Sequence, residues 1–285
     1  MADETPTDLL VAAAHRLGQV PRFRVDLDRG RRTRYAVVVF VLNEGERIRS
    51  QLQRMRPWAS MADIIIADGG SSDGALEPRY LQETGVATLL TKEGPGRLSA
   101  QMRMALAFAL AAGYEGIITI DGNGKDDPAA IPRFIEAMDA GVHHVQGSRF
   151  RPGGQALNTP PSRWLGVRLV HAPLISLAAR FRYTDTTNGF RAYRRELLLD
   201  PRVQPFREVF SDYELHYYLS IRAPELGFNT AEVPVTRAYP KGKPAPTKIT
   251  PLAGNLRVLR TLARACMRRY HPAAGADTRV ERSRS

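Results

Sequence analysis

Four nearly continuous apolar runs, residues 35–42, 63–67, 86–90 and 117–120, set the rhythm of the first half of the chain. Each is short and β-favouring, the pattern of strands covered on both faces of a sheet. Between them the apolar spacing becomes helical. Ile48, Leu52 and Met55 share one helix face beside Arg47, and residues 98–112 are long and Ala-rich. Strand and helix alternate, which predicts an α/β fold with a mostly parallel central sheet flanked by helices. A further strand is expected over residues 142–147, and an amphipathic helix opening at Ser211-Asp212-Tyr213-Glu214. Ahead of the first strand, Leu9, Leu10, Ala13, Ala14 and Leu17 fit a short helix followed by the basic Gly30-Arg31-Arg32. The expected organisation is an extension over 1–33, a catalytic domain over 34–250, a basic amphipathic helix over 251–270 and a disordered tail over 271–285.

The strands end in polar turns. Asn43-Glu44 follows the first, Asp68-Gly69-Gly70-Ser71-Ser72-Asp73-Gly74 the second, and Asp121-Gly122-Asn123-Gly124-Lys125-Asp126-Asp127 the fourth. Pro128 then opens a helix, where its missing N–H costs little. Charges at the carboxyl end of a buried strand are expensive unless they hold a ligand or ion, and that edge is where open α/β sheets bind ligands. Asp and Gly are also ordinary turn residues, so the turn alone does not decide between a solvated loop and a site. No Gly-x-Gly-x-x-Gly fingerprint and no Walker lysine loop is present, so phosphate must be handled in another way.

The net charge of +12 points to phosphate-bearing partners or an anionic membrane surface. No nucleic-acid module accompanies it, so nucleic acid is not an expected partner. The single cysteine, Cys266, excludes an intrachain disulfide and suits a reducing compartment. The acidic start, Met1-Ala2-Asp3-Glu4, and the lack of any run of about 20 apolar residues predict neither a signal peptide nor a transmembrane helix. The expected location is cytoplasmic, peripheral at the inner membrane face. Residues 164–181 are mainly apolar with scattered Arg, and Arg257, Arg260, Arg264, Arg268 and Arg269 lie beside Leu252, Leu256, Leu259 and Leu262. A helix lying in the membrane interface has this composition, and so has one packed on the core with solvated arginines.

The motifs also carry a family resemblance. Residues 38–44, Val-Val-Phe-Val-Leu-Asn-Glu, resemble the first-strand signature of family-2 glycosyltransferases of the GT-A fold, and residues 68–74 resemble their second-strand turn. Asp121-Gly122-Asn123 stands where that family has Asp-x-Asp. Gly147-Ser148-Arg149-Phe150-Arg151-Pro152-Gly153-Gly154, residues 185–195 and the stretch Leu226 to Val235 are similar to motifs of the dolichol-phosphate and polyprenyl-phosphate mannosyltransferase type. The resemblance spans about residues 35–249. Two departures stand out: Asn123 replaces the second metal-binding Asp, and Lys125 stands where Gln is common.

The resemblance implies an inverting transfer of a hexose from a nucleotide-diphosphate sugar, GDP-mannose or UDP-hexose, to a polyprenyl phosphate. Asn43, Glu44, Asp68, Gly70, Arg97, Gln101, Asp121 and Asn123 are the expected donor contacts. Asp121 and Asn123 are the expected ligands of a divalent cation, Mg²⁺ or Mn²⁺, held weakly or dispensable because one ligand charge is missing. Lys125 then supplies part of the lost positive charge. Arg149, Arg163, Arg191, Lys241, Lys243 and Lys248 are the expected acceptor-phosphate cations, the last three within a Pro-rich basic loop able to close over the donor. Asp212 stands where relatives with hydroxyl acceptors keep a base. It would serve the alternative of a soluble hydroxyl acceptor; a binding protein with weakened turnover is the other alternative. The base, the sugar and the oligomeric state are left open by the sequence.

Overall fold

In the computed structural model, which describes residues 5–241 and 253–273, the chain begins with α1 (Pro6–Arg16) and β1 (Phe23–Asp28). The first half continues as β2 (Tyr35–Val41), α2 (Glu46–Met55), β3 (Ala62–Asp68), α3 (Pro78–Glu83), β4 (Val86–Lys92), α4 (Leu98–Ala111) and β5 (Gly116–Asp121). Then come α5 (Ile131–Asp139), β6 (His144–Ser148), β7 (Gln155–Leu157) and α6 (Pro161–Leu165). A π-helical stretch (Gly166–His171) joins α6 to α7 (Ala172–Ala179). The chain closes through β8 (Arg191–Arg194), α8 (Arg195–Leu199), α9 (Glu214–Glu225), β9 (Thr230–Pro234), β10 (Thr236–Ala238) and α10 (Ala253–Cys266).

Eight strands form one sheet in the order β1-β4-β3-β2-β5-β8-β6-β9. β2, β3, β4 and β5 are mutually parallel, as the apolar runs predict, whereas β1 and β8 run antiparallel to their neighbours. Side-chain alternation divides the core in two. Ala36, Val38 and Phe40 of β2 face a layer built on α4 and α9, and Val37, Val39 and Val41 face a layer built on α2 and α5. Every residue from Ser99 to Leu110 is buried, which explains why α4 is apolar around most of its circumference.

The chain ahead of Tyr35 departs from the expected appendage. α1, closed by a Thr5–Asp8 capping box, packs on α4, and β1 extends the sheet beside β4. The alternating exposure of β1, with Phe23 buried and Arg24 exposed, marks it as an edge strand. Its six residues carry too little apolar signal to compete with the all-buried strands.

The antiparallel insertion of β8 does most to shape the carboxyl edge of the sheet. It brings residues 185–189 over the end of β5. A separate parallel pair, β7 and β10, is stitched to the loop after β5 by Ala238 N–H donating to Lys125 O and Asp127 N–H donating to Thr236 O. Arg237 of β10 is thereby carried to the turn at Asp121.

Candidate functional site

A cleft of about 650 Å³ opens at the carboxyl edge of β2, β3 and β5. Its floor includes Phe40, Val41, Gly69, Asp121 and Asn123, and its walls include Glu44, Arg97, Thr186, Asn188, Asp212 and His216. Lys125, Arg163 and Arg237 also line it. The Asp121 side chain is 25% exposed and pairs with Arg237, Oδ2 to Nη2, at 3.2 Å. The second nitrogen of Arg237, Nη1, holds the wholly buried Asp126 and reaches Asn188 Oδ1 at 3.4 Å. Burial pushes the Asp121 carboxyl up, but Arg237 and Lys125 outweigh it and hold it below the usual carboxylate range. Burial and the nearby Arg237 push the Lys125 ammonium down. Tyr239 sits among these cations: the Lys125 Nζ lies 5.3 Å from its ring centre, and Arg163 Nη1 is 3.3 Å from its hydroxyl. Burial raises the Tyr239 phenol, yet Arg237 and Arg163 outweigh it and leave it below its ordinary value.

The first two strand ends are locked together. Asn43, in the left-handed region at φ 49°, donates its N–H to Ser71 Oγ and accepts from Ser72 N–H. Asp68 turns its carboxylate onto its own loop, accepting from Gly70 and Ser71 N–H, so it shapes the turn rather than presenting acceptors outward. Gly70 supports that turn at φ 95°. Gln101 is buried and donates to the carbonyls of both Val41 and Ala67, tying α4 to the ends of β2 and β3. Glu44 and Arg97 line the cleft, Glu44 paired with Arg47 at 2.8 Å.

Two of the expected acceptor cations are engaged within the protein. Arg149 is buried in a two-pronged pair with Asp185, Nε to Oδ2 at 2.6 Å and Nη2 to Oδ1 at 2.9 Å, and its Nη2 also donates to Thr187 Oγ1. It holds the 185–187 loop. Arg191, which also lines the cleft, is equally buried and donates to Asn188 O, Thr186 O, His216 O and Ser220 Oγ, binding that loop to α9. Arg163 does reach the cleft, Lys241 is exposed, and Lys243 and Lys248 lie outside the described residues, as does most of the basic loop. Asp212 faces the cleft with Arg257 of α10 at 3.4 Å and Arg97 at 3.9 Å. Glu214, not Asp212, accepts the N–H groups of Ser211 and Asp212 ahead of α9. The motifs did not single out Arg237 or the cleft-facing Asn188. A cation two residues beyond Val235, at the end of the Leu226 to Val235 stretch, was the available signal for the first.

The Arg149–Asp185 pair makes a pH-dependent prediction. Burial raises the Asp185 carboxyl, but Arg149 outweighs it and holds it below its ordinary 3.8. A lowered pKa means stability that is present above the unfolded value and lost as pH falls through the folded one. Arg149→Met leaves a buried carboxylate unpaired and is expected to cost about 3 kcal/mol near pH 7. That difference should shrink as the pH falls toward the ordinary 3.8, where protonation of Asp185 relieves the variant. Denaturant melts of both proteins across pH check it; a pH-independent difference would refute the pairing as its cause.

The model of the family described as Glycosyl transferase family 2 matches residues 36–200, more than half of the chain. The chain belongs to this family. The transferase is 29% identical over 210 residues to polyprenol monophosphomannose synthase of Mycolicibacterium smegmatis, spanning 71% of this chain and 77% of that protein. It is also 29% identical to the undecaprenyl-phosphate mannosyltransferase of Micrococcus luteus, over 71% of this chain and 83% of that one. A dolichyl-phosphate hexose transferase of Haloferax volcanii matches at 29% over 81% of this chain and 93% of its own length. Among solved structures, glucosyl-3-phosphoglycerate synthase of Mycobacterium tuberculosis, in complex with Mn²⁺, UDP and glucosyl-3-phosphoglycerate, superposes with a TM-score of 0.58 at 20% identity. That likeness covers 93% of this chain and 85% of that one, and shows the GT-A fold.

A divalent cation fits the transferase's turn poorly. Asp121 Oδ2 already accepts from Arg237 and faces Asn123 Nδ2 at 3.3 Å, while Asn123 Oδ1 accepts from Lys125 N–H at 3.3 Å. Hard cations want several anionic or neutral oxygens aimed at one point. Among the described residues no three carboxylate, imidazole or thiolate side chains converge on such a point. Here one partly exposed carboxylate is bracketed by an amide N–H₂, a guanidinium and an ammonium.

Proposed function

We propose that the cleft binds a nucleotide-diphosphate sugar, GDP-mannose or a UDP-hexose, and transfers the hexose with inversion to a polyprenyl phosphate at the cytoplasmic membrane face. The nucleoside lies against the ends of β2 and β3 near Glu44 and Arg97, and the diphosphate beside Asp121. Departure of the diphosphate concentrates negative charge where Lys125 and Arg237 stand, which lowers the barrier. A phosphate acceptor is already anionic and needs guidance more than a base. Arg163, at the cleft wall on α6, suits that task.

The observation that carries the lipid acceptor is the exposed apolar surface beside the cleft. Leu165, Leu169 and Leu177 along the α6–α7 segment are 48%, 67% and 79% exposed, with Trp164 and Leu174 near them, and Leu256 and Leu259 stand out on α10. α7 and α10 touch one another; Arg163 of the first segment lines the cleft, and Arg257 of the second pairs with the cleft-facing Asp212. α10 docks through Leu262 and Ala265 while Arg260 and Arg264 remain exposed. Among the described residues no helix is long and apolar enough to cross a membrane, so this surface would act from one side. Apolar side chains ringed by arginine suit an anionic interface, each basic residue contributing roughly 1 kcal/mol.

A panel of radiolabelled nucleotide sugars assayed with a short-chain polyprenyl phosphate tests the transfer, and product in the organic phase is expected. Water-soluble product with a hydroxyl acceptor would favour the alternative in which Asp212 acts as base. Flotation tests the membrane: the protein is expected to rise with anionic liposomes at low salt and to be partly released in high salt, as the Debye length falls from about 10 to 3 Å. Leu169→Glu with Leu177→Glu should remove the salt-resistant fraction. Indifference to anionic liposomes at low salt would sink the membrane assignment.

A further inference from the structure

We propose that this transferase handles the donor diphosphate with fixed side-chain cations, Arg237 and Lys125, in place of a divalent metal ion. The inference rests on the reading of the cleft as a nucleotide-sugar site and adds what neutralises the leaving group there.

Three observations converge. Two acceptors of the Asp121–Asn123 turn are already engaged, Asp121 Oδ2 by Arg237 and Asn123 Oδ1 by the Lys125 backbone. Arg237 is buried, yet lines the cleft, and is clamped from behind by Asp126 and from the side by Asp121. Lys125 is buried at the same wall with its ammonium over the Tyr239 ring. A metal ion entering beside Asp121 would meet Lys125 and Arg237 with one carboxylate, the second, Asp126, being wholly buried on Arg237, so its entry is less favoured than in an Asp-x-Asp turn. The same arrangement attracts phosphate oxygens. A guanidinium does not lose its proton, donates in a fixed fork and matches phosphate geometry, and Arg237 is oriented before the donor arrives.

The chemistry balances without a metal. The acceptor oxygen forms its bond to the anomeric carbon as the bond from that carbon to the diphosphate oxygen breaks. The electron pair leaves on the diphosphate, beside Arg237 and Lys125. With a phosphate acceptor no proton has to be removed. Asn123 then belongs to the arrangement: an aspartate there would add a second carboxylate beside Asp121 and draw cations away from the donor.

Calorimetric titration of the full chain with UDP and with GDP, in chelator and in excess Mn²⁺, tests this. One of the two is expected to bind in chelator with an affinity within about tenfold of that in Mn²⁺. Arg237→Gln and Lys125→Gln should each weaken binding in chelator by roughly 10- to 100-fold, the loss of a charge-assisted contact. Thermal melts show whether Arg237→Gln still folds; Lys125→Gln, which keeps most of the side chain's length and a polar donor at its end, keeps the test alive if it does not. Asn123→Asp combined with Lys125→Gln should make binding respond to Mn²⁺. Nucleotide binding that requires Mn²⁺ in the wild type would overturn the proposal and leave the donor cleft standing. No binding of either nucleotide under either condition would overturn both.

Discussion

Alanine in place of Gly189 is expected to cut transfer roughly 100-fold while the protein still folds. A Cβ at this position would stand 2.8 Å from Asp121 Oδ1 and 3.2 Å from its Cγ, closer than such contacts tolerate. The loop has little room to withdraw, because Thr119 Oγ1 donates to the Gly189 carbonyl at 3.0 Å from the strand beneath. The carboxylate must therefore rotate, which distorts its 3.2 Å pair with Arg237, itself held by the buried Asp126. A displacement of about 1 Å at groups that position a reacting centre is enough for a loss of this size. The main cost falls on geometry rather than folding, since Asp121 is partly exposed and can turn toward the cleft. Asp121→Ala, which removes the carboxylate altogether, should abolish transfer and sets the floor for comparison. Steady-state rates with the best donor, set beside thermal melts, check both variants. Near-wild-type turnover in Gly189→Ala would show that the Asp121 carboxylate does not position the reaction.

Arg191→Met should be the most destabilising single change in the site region. Arg191 is almost wholly buried and supplies hydrogens to four acceptors: Asn188 O at 2.9 Å, and Thr186 O, His216 O and Ser220 Oγ each at 2.7 Å. Methionine fills much of the volume and supplies none of them. Asn188 O and His216 O keep Gln146 Nε2 and Ser220 Oγ as donors, so the loss is that of the charged donor. Hydrogen bonds to a charged group are worth about 1.5–3 kcal/mol each, and four together approach the roughly 5–15 kcal/mol that holds a typical domain. With roughly 2–4 °C of Tm per kcal/mol in a chain of this size, the expected fall exceeds about 10 °C, or the variant fails to accumulate. Thermal melts and soluble yield report it. A variant that melts like the wild type but loses acceptor affinity would make Arg191 a cation for the acceptor phosphate after all.

The contrast between Arg191 and Arg237 marks what the sequence could and could not decide. Strand positions were legible because a buried parallel strand needs unbroken apolar residues, and the runs at 35–42, 63–67, 86–90 and 117–120 have them; the observed strands match these runs to within two residues at either end. The end of β5 was legible as a candidate only with the motifs around it, because carboxylates and glycines also make ordinary turns. Edge strand β1 was not, because one exposed face halves its apolar signal. The roles of arginines were the least legible. Arg149 and Arg191 read as cations near phosphate motifs, Arg237 belonged to none of the motifs, and all three are buried. What separates them is the partner that the fold sets beside each: Asp185 for Arg149, a ring of carbonyls for Arg191, and Asp121 at the open cleft for Arg237. Those partners lie 36, 25 and 116 residues away along the chain for Arg149–Asp185, Arg191–His216 and Arg237–Asp121. The sequence by itself determined the layer, the strand ends and the chemistry available at them, because these follow from local apolar patterning. Only the tertiary structure decided which partners each charge meets, because that depends on neighbours supplied by antiparallel β8 and by β10, and charge in a low-dielectric site is defined by its neighbours.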